Sequence, residues 1–107
     1  DVNIHIEPRE VENLPAIEIH PNETARYVER IQSLGAEFAA ARGCEDIALQ
    51  NLGDGIYLSF HMIMDTTLSV GEVHTIAEEM ERRLRLEFPE LGRVVIHTEP
   101  YAEKREA

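Results

Sequence analysis

Ile56-Tyr57-Leu58-Ser59-Phe60-His61-Met62-Ile63-Met64 decides the fold of this chain. Ile56, Leu58, Phe60, Met62 and Met64 alternate with Tyr57, Ser59, His61 and Ile63, the two-residue period of a strand with a buried face. His61 lies on the second face, away from the main core. Upstream, Gly53-Asp54-Gly55 marks a tight hairpin turn, and Cys44 to Leu52 reads as the partner strand, with Ile47 and Leu49 in alternation. Downstream, Ser69-Val70-Gly71-Glu72 is a capping box, in which the serine and the glutamate three residues on satisfy each other's backbone N–H groups. The helix it opens buries Val73, Ala77, Met80 and Leu84 and stops near Pro89. His74 falls in its first turn, on the side of Glu78 and Glu81. Gly92 then leads into a strand from Arg93 to Thr98, ended by Pro100, and His97 and Glu99 leave one face of it.

Farther upstream, Asn22 can cap a helix running to about Arg42, with Glu23 complementing the positive end of its dipole. Val28, Ile31, Leu34, Gly35 and Phe38 share one face at helical spacing, and Gly43 stands where a C-cap glycine belongs. The order is helix, strand, strand, helix, strand. It predicts an α+β sandwich with both helices on one face of a small sheet.

Residues 1–8 alternate as a further strand, 9–21 read as an acidic, proline-punctuated linker, 22–100 as the domain, and 101–107 as a disordered tail. Val2-Asn3-Ile4-His5-Ile6-Glu7-Pro8 matches Val94-Val95-Ile96-His97-Thr98-Glu99-Pro100 at five of seven positions with a constant offset of 92 residues. A period of that size is one small domain, so the chain reads as a tandem repeat: the last strand of one copy, a linker and a complete second copy. His5 and Glu7 then repeat the His97/Glu99 pair. Opening at Asp1 inside a strand pattern, the sequence reads as a piece of something longer.

The 107 residues allow one modest core, and 43% apolar with 29% charged residues is a globular balance. A net charge of −11, with only ten Lys and Arg, excludes a phosphate-backbone partner and an anionic membrane surface. The single cysteine, Cys44, cannot form an internal disulfide, and no run approaches the roughly 20 apolar residues of a membrane span.

His61, His74, His97 and Glu99, spread over three elements, suit a divalent cation, since imidazole with carboxylate is a donor mixture that Zn²⁺ accepts in a four-coordinate shell. Spacing alone leaves open that the histidines are ordinary hydrogen-bonding polar residues. No HExxH, CxxC or glycine-rich phosphate loop is present. An acylphosphatase-like enzyme would want an arginine in an anion-cradling loop, and Gly53-Asp54-Gly55 offers an acid, so an enzyme is not expected.

The His61 strand, Asp65-Thr66-Thr67-Leu68-Ser69-Val70-Gly71-Glu72-Val73-His74, a helix with Phe88-Pro89, and Val95-Ile96-His97-Thr98-Glu99-Pro100 resemble the cytoplasmic C-terminal domain of the cation diffusion facilitator (cation efflux) transporters, over roughly residues 23 to 100. This resemblance implies a ferredoxin-like, metallochaperone-like αββαβ module. It would form a homodimer under the membrane domain of a parent transporter, on the cytoplasmic face of a prokaryotic inner membrane, and bind divalent cations. The family's ligand histidines fall on His61, His74 and His97, and the strand-end acid on Glu99. Where zinc-binding members often carry a first-strand histidine, this chain has Glu45 and Asp46, and Ala48 and Gln50 stand where arginines are often found. Glu45 could still ligate. Zn²⁺ is the first expectation, with an acid at that place tilting preference towards Mn²⁺, Fe²⁺ or Co²⁺. The alternative is a dimerisation scaffold of the same family with a degenerate, metal-free site.

Overall fold

The central place in the sheet goes to the strand with the strictest alternation. The computed structural model describes residues 18–102, in the order α1 (Pro21–Ala36), β1 (Ala41–Asn51), β2 (Ile56–Met64), α2 (Val70–Glu87) and β3 (Leu91–Pro100). β2 lies between β1, to which it is antiparallel, and β3, to which it is parallel. Both pairings follow from the connections: the short turn after Asn51 permits only an antiparallel partner, and a parallel neighbour requires a crossover, which α2 fills. Ile56, Leu58, Phe60, Met62 and Met64 are all buried, as their alternation predicts. Over them pack Tyr27, Ile31 and Leu34 of α1 and Met80 and Leu84 of α2, with Phe88 just beyond it. The architecture is the α+β, ferredoxin-like one expected. Residues 1–17, with the N-terminal strand, the linker, His5, Glu7 and the repeat echo, lie outside the described residues, as do residues 103–107.

Helix α1 departs from expectation at both ends. Its N-cap is His20, whose Nδ1 accepts from the N–H of Asn22 at 3.0 Å, with Pro21 in the first turn. The aromatic on its buried face is Tyr27, fully buried, while Val28 is only half-buried. The helix stops at Ala36 although Ala36, Ala39, Ala40 and Ala41 favour continuation. Intrinsic preference is worth a few tenths of a kcal/mol per residue, up to about 0.7 kcal/mol for residues other than glycine and proline. Pairing Ala41 with Met64 and Cys44 with Met62 makes ladder hydrogen bonds of about 1 kcal/mol each and buries Cys44, so the strand wins.

Gly43 therefore caps no helix. It sits inside β1 with φ 140°, beside an irregularity in the pairing between Ala41 and Gly43. A second irregularity, between Glu45 and Ala48, holds Asp46 at φ 56°. This bulge resets the strand's phase. Cys44 faces the helices and Glu45 faces away, yet after one extra residue Ile47 and Leu49 again pack on the core. Among the described residues no helix is long and apolar enough to cross a membrane.

Candidate metal site

The helices cover one face of the sheet. The other face carries the chemistry. Register places Glu45 of β1 opposite His61 of β2, and His61 opposite His97 of β3, so the three side chains form one row across the sheet. The next row sets Gly43, Ile63 and Glu99 side by side. Strand alternation already puts His61, His97 and Glu99 on one face, and the register brings them into reach.

The His61 and His97 rings lie 4.9 Å apart between centroids, tilted by 40°. Nδ1 of His61 meets Oε2 of Glu99 across the strands. With Glu99 ionised, that nitrogen is the donor, which leaves the Nε2 lone pair of His61 available to a cation. Burial, and then the neighbouring His61 imidazole, push the pKa of His97 below its ordinary value, against the opposing pull of Glu99. A neutral ring is the form that ligates. All three groups are half-buried, so a cation bound here would remain in reach of water.

His74 lies elsewhere. It is in the first turn of α2 and 71% exposed, with Nε2 3.0 Å from Oε2 of Glu78 one turn on. Among the described residues, no three His, Cys, Asp or Glu side chains converge on one point that would hold a metal ion. The protomer thus presents His61, His97 and Glu99 together, Glu45 at the end of their row, and His74 apart.

The sequence pattern described as "Cation efflux protein, cytoplasmic domain" matches residues 25–101. This chain belongs to that family. Its cation efflux domain is 29% identical over 76 residues to Metal tolerance protein C1 of Arabidopsis thaliana, covering 71% of this chain and 16% of that protein. Cation-efflux pump FieF of Shewanella oneidensis is 28% identical over 72 residues, covering 67% of this chain and 24% of its own length. The chain therefore spans about a sixth to a quarter of these two relatives. Among solved structures, that of CzrB is 31% identical with a TM-score of 0.66, covering 79% of this chain and 100% of the other. The metal-bound C-terminal domain of the CzcD transporter from Thermotoga maritima has a TM-score of 0.67 over 77% of this chain and 94% of its own, and at 17% identity it speaks for the fold alone.

Two features of this cation efflux domain escape a reading by pattern. Alternation gives the face of each residue but not its register, so the His61–Glu99 pair was hidden. The equal phase of the two parallel strands, each with its histidine past the middle, was the available signal. The second feature is Tyr101, whose N–H donates to the Met64 carbonyl at 2.7 Å and whose ring lies 4.4 Å from the Arg42 guanidinium.

Proposed function

We propose that this domain binds a divalent cation on the outer face of its sheet, and that binding favours a closed pair of such domains beneath the membrane portion of a cation efflux transporter. The observation that carries the reading is the row Glu45–His61–His97 across three strands, with Glu99 gripping His61 from the next row. His61 and His97 supply imidazole nitrogens, and Glu45 supplies a carboxylate oxygen. Glu99 either ligates or orients His61, as a carboxylate behind a metal-bound histidine does. Such a mixture suits Zn²⁺ first, and the acid at Glu45 admits Mn²⁺, Fe²⁺ or Co²⁺. Because these donors do not enclose a point within one protomer, the remaining coordination falls to a second copy, and His74, exposed on α2 and apart from the row, would join only where a second copy brings that helix to this face. On this reading the domain is a sensor and clamp for the cargo ion. It does no catalysis, and transport belongs to segments beyond these residues.

Calorimetric titration of Zn²⁺ into the full chain tests the site. Saturable binding is expected, with collapse in His97→Ala and a loss of about 10–100-fold in Glu99→Gln, the usual cost of an orienting carboxylate. Binding that is absent, or unchanged in His97→Ala, would sink the metal reading. The second reading, a metal-free dimerisation scaffold, has in its favour the closed His61–Glu99 pair and the lack of a three-donor cluster among the described residues.

A further inference from the structure

The pair of His61 with Glu99 depends on how β3 ends. Glu99 is the last residue of that strand but one, and Pro100 after it has no N–H to give to the ladder. The next backbone bond runs from the Tyr101 N–H to the Met64 carbonyl, at 2.7 Å. Strand ends fray where few bonds hold them, and fraying here would carry Glu99 away from His61.

The other edge strand reaches over to the same end. On β1 the pairing runs from Gly43 opposite Ile63 to Ala41 opposite Met64, so Arg42 is an extra residue in the ladder. A bulge of this kind re-aims a side chain, and Gly43, at φ 140°, lets the backbone make the kink. The Arg42 guanidinium comes to lie 4.4 Å from the centroid of the Tyr101 ring. Because β2 lies between β1 and β3, this contact joins the two outer strands across the central one. Tyr101 continues the alternation of His97 and Glu99, which sets its ring on the outer face of the sheet. At that end of the face lies Ile63, between Gly43 and Glu99. It is only 5% exposed, although both described helices pack on the opposite face.

We propose that Arg42 and Tyr101 form a clasp that positions Glu99. The clasp pins the end of β3 to β2, keeps the Glu99 carboxylate on Nδ1 of His61, and so fixes the tautomer that leaves the Nε2 lone pair of His61 available. Neither clasp residue is a ligand: both act through Glu99. The effect on a bound cation rests on the metal reading proposed above, whereas the effect on His61 stands without it.

The test uses the full chain, with Tyr101→Ala and Arg42→Ala to open the clasp. Tyr101→Phe and Arg42→Lys keep it, since phenylalanine and lysine still make a cation–π pair. Long-range ¹H–¹⁵N spectra of the metal-free, ¹⁵N-labelled proteins at about pH 9, above the ordinary imidazole range, show which nitrogen of His61 holds the proton. The expected result is Nδ1–H in the parent and in the two conservative variants. Both alanine variants should shift towards Nε2–H while their β2 amides stay protected, which separates a moved carboxylate from a lost fold. Zn²⁺ titrated into the same proteins should bind about tenfold more weakly to the alanine variants, the low end of the cost of losing an orienting partner, and as in the parent to the conservative ones. A His61 tautomer unmoved by both alanine substitutions would overturn the proposal. So would a shift in Tyr101→Phe as large as that in Tyr101→Ala. If the parent took up no Zn²⁺, the metal reading alone would fall, and the tautomer comparison would still decide on the clasp.

Discussion

Tyr27 holds two helices and one loop with a single side chain. Its ring stacks on Phe88 at 4.0 Å between centroids and 22° between planes, and its hydroxyl donates to Glu90 at 2.5 Å. Burial, then the hydrogen bond to Glu90, raise the phenol pKa above its ordinary value. The unfolded chain's phenol ionises near the usual ~10, while the folded one stays protonated to higher pH. Its contribution is therefore fully present below about pH 10 and is lost as pH rises through the folded value. Tyr27→Phe keeps the stack and removes the hydroxyl. Urea denaturation at neutral pH is expected to show a loss of about 0.5–1.5 kcal/mol, and between about pH 10 and 11 the variant's stability should fall less steeply than the parent's. Parallel declines would mean that the phenol does not titrate differently on folding. Sequence spacing pointed to Val28 because helical periodicity tolerates a shift of one residue, and only the stacking partner Phe88, sixty-one positions away, decides between them.

At the scale of elements, legibility tracks how local the cause is. The α2 cap was readable because both partners lie in one turn: Ser69 Oγ accepts from the Glu72 N–H at 3.1 Å, and Glu72 Oε1 accepts from the Ser69 N–H at 2.8 Å. The β2 alternation was readable for the same reason. The end of α1 was not, because its cause is the β1–β2 ladder. The bulge at Asp46 was not, because nothing near it in sequence requires one. The row Glu45–His61–His97 needed both parity, which is local, and register, which is not. Seating of α1 on β1 is another non-local fit, and it rests on Gly35: a Cβ there would stand 2.9 Å from Cys44 Sγ, while Gln32 Nε2 donates to the Cys44 carbonyl at 2.8 Å. Gly35 is next to last in the helix, so the gain in helix propensity from alanine falls short of the full ~1 kcal/mol, and overpacking at about 1–3 kcal/mol outweighs it. Gly35→Ala should lower stability by about 1 kcal/mol and, in a Cys44→Ala background, leave it unchanged or raise it. Equal effects in the two backgrounds would show that the sulfur is not what alanine meets.

For the whole molecule, the decisive quantity is charge. Each copy carries −11, and among the described residues four arginines are engaged within it: Arg30 with Glu87 at 2.6 Å, Arg82 with Glu79 at 2.6 Å, Arg83 with Glu37 at 2.7 Å and Arg85 with Glu81 at 2.9 Å. These pairs lie on and between the helices, and exposed pairs of this kind contribute about 0–1 kcal/mol each. The outer face of the sheet presents Glu45 and Glu99 towards any second copy that meets it. Bringing two such faces together therefore works against Coulomb repulsion, which a bound divalent cation or mobile salt can relieve. The two act differently. Salt screens all exposed charges, with a Debye length falling from about 30 Å at 0.01 M to about 3 Å at 1 M, whereas a cation at the row cancels charge only there. Sedimentation equilibrium of the metal-free chain should show self-association tightening as NaCl rises from about 0.02 to 0.5 M. Zn²⁺ at low salt should tighten it as well, and its advantage should shrink at high salt, because screening has already removed part of what the ion relieves. Association that weakens with salt would place attraction rather than repulsion between the faces. A Zn²⁺ effect of equal size at both salt concentrations would mean that the ion acts by joining ligands alone, with the field of the acidic domain irrelevant to closure.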